Sequence, residues 1–445
     1  MRSVRIGSGA GYGGDRLEPA LDLIRRGNLD YLIFECLAER TIALAQLEKR
    51  HDPSRGYNSL FEYRMTAVLD ALRRHPVKII TNMGAANPEA AARKTLELAR
   101  AAGLLGLKVA CVTGDDVLSR LSPELTIWES GQPLSTLGND IISANAYLGC
   151  DGILEALNAG ADIVITGRVA DPALVLGPLR HAFGWAADDY DRLGKGILAG
   201  HLLECAGQVT GGYFADPGVK DVPELWNLGF PIAEVGEDGS LVITKLPGTG
   251  GLVSEATCQE QILYEIQDPT SYFTPDCTAD FSGITTRQIG PDRVAVSGAT
   301  GRAHNGLYKV SVGYQDCWIG EGQISYYGST AKARAELAGE IIRRRLTVRK
   351  CEASELRIDL LGVNSLFPAQ PDAPVPMEVR LRVAARCASR AHAALVGDEV
   401  EALYTNGPGG GGGAVKSVRE IVSVASVFLP QEDIRAQVQL WEVTA

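Results

Sequence analysis

The sequence predicts an α/β protein: a parallel, doubly wound sheet in the N-terminal part, followed by an α+β C-terminal domain. Three observations predict it. Short Val- and Ile-rich runs at 4–6, 31–35, 78–81, 108–113 and 162–166 alternate with segments of helical spacing near 17–26, 39–50, 60–74, 88–102 and 149–159. Such runs suit strands buried on both faces, and their alternation with helices implies βαβ units. The chain of 445 residues is too long for one core, and its pattern changes near 290. The expected domains are therefore 1–290, carrying a glycine-rich loop site, and 291–445, carrying the Gly-rich loop 407–413.

The first strand runs straight into Gly7-Ser8-Gly9-Ala10-Gly11-Tyr12-Gly13-Gly14, and a helical segment with Leu17, Ala20, Leu21, Leu23 and Ile24 follows. Gly9, Gly11 and Gly14 fit G-x-G-x-x-G. Glycines there permit positive φ and close backbone approach to an anion, and a helix N-terminus adds partial positive charge. The second strand ends in Glu35, near where a dinucleotide fold keeps its ribose-binding acid. Against this stands a tight βα turn that binds nothing. The fourth helix has a strong start at Asn87-Pro88-Glu89, with Asn as cap and Pro at the first helical position.

Ligands of parallel sheets bind beyond the carboxyl ends of the strands. Those ends read Gly7–Gly14, Glu35-Cys36, Asn82-Met83-Gly84, Thr113-Gly114-Asp115-Asp116 and Thr166-Gly167-Arg168-Val169-Ala170-Asp171. Polar and glycine residues concentrate at one edge five times, which turns alone do not require. A second strand–glycine loop–helix unit follows at 241–244, 245–251 and 254–266, and places Thr249, Gly250 and Glu255 near the same edge. Beyond 300, a hairpin is expected from 307–314 and 318–326, helices over 331–346 and 390–404, and strands over 356–361, 378–384 and 418–427. Asn406 opens the final glycine run, either a connector or a ligand loop.

The chemistry left open is narrow. The six histidines show no H-x-x-x-H spacing, and no G-x-S-x-G elbow or G-x-x-x-x-G-K-[ST] loop is present. No metal site is assigned. A net charge of −11 without a long basic run argues against nucleic acid or an anionic membrane as partner. The nine cysteines are scattered, with no C-x-x-C, and no leader is visible, so reduced thiols in a cytoplasmic protein are expected. Carboxylates remain: Glu35, Asp115, Asp116, Asp171, Glu204 and Glu255 could move protons or hold Mg²⁺, or merely cap helices and pair with cations. Arg168 could clamp a carboxylate or phosphate, or simply pair with Asp171. Cys36 is a weaker candidate nucleophile, with no histidine near it in sequence.

The stretches 6–16, 31–40, 79–88, 162–172, 247–269 and 403–413 together resemble the acyclic terpene utilisation A family over nearly the whole chain. The resemblance implies bacterial breakdown of branched acyl-CoA or carboxylate compounds, with CoA entering as part of the substrate, and brings no catalytic residues with it. It also implies a small partner subunit; a homo-oligomer is the other association expected. Combined with the residues, it favours hydratase, lyase or isomerase chemistry. Glu35, Asp171 and Glu255 would transfer protons. Gly9, Gly11, Gly13, Gly14, Asn82, Arg168, Thr249, Gly250 and Asn406 would bind the substrate. Two other readings stay open: an NAD(P)-dependent oxidoreductase, from the glycine pattern and Glu35, and a non-catalytic subunit of a degradative complex.

Overall fold

The computed structural model describes residues 2–138, 140–368 and 376–444. It divides into one unit of Met1–Gly313 with Val424–Ala445, and another of Tyr314–Ser423. The division thus falls after 313 rather than 290, and the last residues return to the first unit. In that unit the chain runs β1 (Ser3–Ser8), α1 (Glu18–Arg26), β2 (Tyr31–Phe34), α2 (Glu39–His51), α3 (Phe61–Leu72), β3 (Lys78–Thr81), α4 (Pro88–Ala101) and β4 (Lys108–Thr113). It continues through β5 (Ile141–Ala146), α5 (Asp151–Asn158), β6 (Ile163–Thr166), α6 (Ala173–Phe183) and α7 (Tyr190–Glu204). Next come β7 (Pro231–Gly236), β8 (Leu241–Lys245), α8 (Glu255–Leu263), β9 (Tyr272–Phe273), β10 (Thr278–Asp280), β11 (Thr285–Gly290), β12 (Arg293–Ser297) and β13 (Thr300–Arg302).

After β14 (Leu307–Tyr327), the second unit contains α9 (Ala331–Val348), β15 (Ala353–Leu361), β16 (Glu378–Cys387) and α10 (Arg390–Asn406), and β17 (Gly412–Pro430) leads back to β18 (Gln437–Glu442). The fold is mixed α/β. Its main sheet has ten strands in the order β11-β12-β8-β7-β1-β2-β3-β6-β4-β18. The five strands read from apolar runs are its parallel centre, β1-β2-β3-β6-β4. The sheet is not parallel throughout: β7, β8, β12 and β11 add antiparallel to one side, and β18 adds antiparallel to β4 on the other. Two reversals return β8 to the sense of β1, so the loop after β8 opens at the same edge as the first glycine loop.

The sheet centre buries completely. Ile6, Leu32, Ile33, Phe34, Ile79, Ile80, Ile163, Val164 and Ile165 are all at 0 % exposure. At roughly 25 cal/mol per Å² of apolar surface, strands covered on both faces stabilise the unit through both of their faces. Asn87 caps α4 as its sequence predicts, its side chain accepting from the Ala90 amide.

In the second unit, β15-β16-β14-β17 form one sheet, with α9 and α10 packed on its apolar side through Ile324, Leu381, Val383, Ala338, Ile342 and Val396. The expected hairpin at 307–326 is instead one strand, β14, of 21 residues. Asp316, read as part of a turn, is held in the strand because its carboxylate accepts from Arg386 and from Ser423 Oγ (2.7 Å) on strands β16 and β17. Among the described residues, no helix is long and apolar enough to cross a membrane.

Candidate active site

The first glycine loop closes on protein. None of Gly9, Gly11, Gly13 and Gly14 takes the left-handed φ that glycine permits. They are small because of what lies against them: a Cβ on Gly9 would stand 2.7 Å from the Phe34 ring, and one on Gly11 only 2.4 Å from the Cys205 carbonyl carbon. The Gly11 amide donates to Asp15 Oδ2 (2.9 Å), and Arg64, buried to 1 %, donates to the carbonyls of Gly13 (3.0 Å) and Asp15 (2.7 Å). The loop therefore holds the end of α7 against β1 and leaves the Gly11 amide no free valence for a phosphate.

Beside this loop the strand ends bring four of the sequence candidates together. The Glu35 amide donates to the Ala10 carbonyl (3.2 Å). Its carboxylate accepts on Oε1 from the Leu37 amide (2.9 Å) and from Asn82 Nδ2 (3.0 Å), while Asn82 Oδ1 accepts from the Cys36 amide (2.7 Å). Asn82 is fully buried and spends both ends of its amide on protein, so it fixes the direction of Glu35. Burial pushes the Glu35 carboxyl up to about 8; the neighbouring Asp171 charge adds to this, and Arg168, the Leu37 amide and Asn82 oppose it. Glu35 is thus a neutral acid at pH 7, with Oε2 free of those bonds.

Arg168, at 1 % exposure, spends its guanidinium on its own surroundings. Nε and Nη2 donate to the Val169 carbonyl (2.8 and 2.5 Å), Nη1 to the Leu37 carbonyl and Nη2 to Asp171 Oδ1. Its face lies 4.4 Å from the centre of the Tyr147 ring. Desolvation would lower its basicity, but Asp171, Tyr147, Glu35 and Glu39 more than compensate, so it stays charged. It anchors half-buried Asp171, whose carboxyl is nonetheless raised, chiefly by desolvation. Behind it, Asp115 accepts from the Arg168 amide (3.0 Å) and Asn145 (2.8 Å), with burial raising its carboxyl to about 6.

The structure also supplies Tyr147, Glu39, Lys309 and His201, which the sequence did not single out, and gives the candidate Glu204 a partner. Tyr147 donates to Glu39 Oε1 (2.6 Å), which Lys309 also approaches (3.3 Å). Burial opposes ionisation of Glu39, yet these partners lower it to about 2. On α7, His201 Nδ1 lies 2.8 Å from Glu204 Oε1, both groups being buried. The His201 ring packs against Tyr272 (5.6 Å) and Phe281 (5.8 Å), which also touch each other (5.3 Å), and the His201 carbonyl accepts from Gln261 Nε2 (3.0 Å). A His and a Glu three apart on one helix is a sequence signal that could have pointed to this pair. Tyr147, Glu39 and Lys309 carry no such signal, because they meet only through the fold.

The remaining candidates have partners of their own. Thr249 and Gly250 are at the same sheet edge, where Thr249 Oγ1 bonds the Leu246 carbonyl (2.7 Å) and the Gly250 amide bonds the Asn227 carbonyl (2.8 Å). With Arg16, Trp226, Leu228 and Phe230, Thr249 lines a cavity of about 400 Å³. Glu255 is exposed at the start of α8 and accepts from the Gln288 amide (2.7 Å) on edge strand β11. Asn406 ends α10 in the second unit, exposed and bonded to the Ala402 carbonyl (3.2 Å) of its own helix. Cys36 is buried against Arg64 (3.3 Å), and burial raises its thiol far out of nucleophilic range. Among the described residues, the one group with metal-like proximity is Cys150, Asp151 and Asp276, where Arg180 Nη1 already bonds Asp151 (2.6 Å) and the Cys150 sulfur (3.4 Å).

No curated protein and no solved structure matches the chain. A family profile does, described as acyclic terpene utilisation family protein AtuA, and it covers residues 4–440. With nearly every residue inside that match, the chain belongs to the acyclic terpene utilisation family.

Proposed function

We propose that this protein is an acid–base enzyme in the breakdown of acyclic, methyl-branched acyl-CoA or carboxylate compounds, of the hydratase, lyase or isomerase type. The observation that carries the reading is the pair of carboxylates at the strand ends. Glu35 is held protonated near neutral pH, and Asp171 is tied to the fully buried Arg168. Burial raises both carboxyls, but only Asp171 has a cation bonded to it, and such unequal surroundings suit one carboxyl to an acid role and the other to a base role. In this mechanism Glu35 Oε2 donates a proton to the substrate, and Asp171, through the oxygen that Arg168 does not hold, accepts one. Arg168 orients Asp171 and keeps negative charge tolerable beside Glu35, and Asn82 orients Glu35.

The family supports the substrate class, acyclic terpene-derived compounds. The filled glycine loop favours acid–base chemistry over the dinucleotide reading, because Gly11 faces the Cys205 backbone and its amide is committed to Asp15. The test uses a 3-methyl-branched enoyl-CoA in D₂O, with hydration and deuterium incorporation followed by mass spectrometry. Wild-type protein should exchange or hydrate it, whereas Glu35→Gln and Asp171→Asn, with native circular dichroism, should lose at least about 100-fold. Full turnover in both variants would remove the assignment.

A further inference from the structure

The main sheet is open and its two edges differ in kind. One edge is β11 and the other is β18. An edge strand presents a row of unpaired amides and carbonyls, and natural proteins blunt such rows with bulges, charges or covering groups. β11 is blunted in all three ways. Its register slips between Gln288 and Gly290, it carries the exposed Arg287, and the Glu255 carboxylate covers the Gln288 amide (2.7 Å).

β18 has none of these devices. Its residues, Gln437-Val438-Gln439-Leu440-Trp441-Glu442, pair with β4 in unbroken register. Glu442 carries its one charge, and Lys108 stands opposite across the ladder. Just beyond it, the Val443 amide donates to the Leu107 carbonyl (2.9 Å). Backbone bonds alternate along an antiparallel strand, so Trp441, Gln439 and Gln437 also bond inward to β4. Val438, Leu440 and Glu442 therefore turn their amides and carbonyls outward, and among the described residues no group bonds them there. Leu440, at the middle of this row, is an apolar side chain left 37 % exposed.

We propose that β18 joins two copies of this chain, antiparallel about a two-fold axis at Leu440, so that their main sheets continue into one. The outward row is complementary to itself in that register. Leu440 meets Leu440 of the second copy, and Val438 meets Glu442, so each outward residue finds an outward residue and exchanges two backbone bonds with it. Any shift along the strand carries at least one of the three past the end of its counterpart. A register centred on Glu442 would also set two carboxylates face to face. The parallel centres of the two copies then run in opposite senses, and their Glu35 loops open on opposite sides of the joined sheet. The pairing stands independently of the acid–base reading above.

Sedimentation velocity of the full chain tests the pairing. At about 100 µM the particle should have twice the 47.4 kDa of one chain. Leu440→Lys sets two ammonium groups against each other at the axis, and should weaken the association at least about 10-fold while circular dichroism stays native. Leu440→Cys adds no charge to the edge and gives a second readout. Residues in such a backbone-bonded pair stand about 5.5 Å apart between Cα atoms, so this variant should form a disulfide-linked dimer with oxidised glutathione. Val438→Cys, which would lie opposite Glu442, should not. A wild-type chain that stays monomeric overturns the proposal. So does a dimer that folded Leu440→Lys leaves intact, or one that Val438→Cys links and Leu440→Cys does not.

Discussion

Gly11 and Cys205, nearly two hundred residues apart in sequence, meet backbone to backbone: a methyl group on Gly11 would sit 2.4 Å from the Cys205 carbonyl carbon and 2.6 Å from its oxygen. No side chain can yield there, so the contact registers the end of α7 against β1 and brings Glu204 beside the Glu35 loop. The first prediction follows. Gly11→Ala should destabilise the first unit by about 1–3 kcal/mol, the range for overpacking a tight site, while Gly14→Ala, which meets only the movable Tyr12 ring, should cost less. Urea unfolding of the two variants compares them directly.

Glu35 gives a pH dependence with a definite sign. A glutamate titrates near 4.5 in the unfolded chain and near 8 here, so the folded form binds the extra proton between those values. Its contribution to stability is complete below about 4.5 and is lost as pH rises through 8. Glu35→Gln, which cannot ionise, should therefore flatten the fall in Tm between pH 5 and pH 9 relative to wild type. Turnover of wild-type protein should decline above about pH 8, as the acid form disappears. A melting series and a pH–rate profile read the two effects separately.

Asn82→Ala removes a residue whose two polar ends are both in use, leaving the buried Cys36 amide unpaired. The expected cost is about 1–3 kcal/mol. Asn82 also helps hold the Glu35 carboxyl down, so its loss should move the alkaline limb of the pH–rate profile upward. Asn82→Asp offers the Cys36 amide an acceptor again but sets a second carboxyl against Glu35, and should lower activity more than stability.

Arg168→Met keeps much of the side-chain volume but strands the carbonyls of Leu37 and Val169, and leaves Asp171 without its cation. Chemical denaturation should show a loss of at least about 3 kcal/mol. Arg168→Lys should recover only part of it, because a lysine cannot reach two carbonyls and a carboxylate at once while lying flat on Tyr147.

The centre of the fold was legible because each parallel strand, buried on both faces, is a continuous apolar run. The antiparallel flank was less so: β11, with one face exposed, carries Thr, Arg and Gln, and β18 carries Gln and Glu. The recurrence of polar residues at strand ends picked out Glu35, Asn82, Arg168 and Asp171, which the structure groups together because the sheet brings neighbouring strand ends side by side. Their roles were not legible. That Arg168 turns inward, and that the glycines make room for Cys205, depends on α7 and on Leu37, contacts that leave no spacing in the chain.

The second unit leaves the chain after Gly313 and returns it at Val424, and β14 and β17, which carry the two crossings, are hydrogen-bonded neighbours. A segment whose two stems run side by side is a removable cassette. Bridging those stems with a short turn would leave β18 able to dock on β4, so a chain lacking residues 314–423 should still assemble the ten-stranded sheet and could report what the carboxylate cluster does by itself.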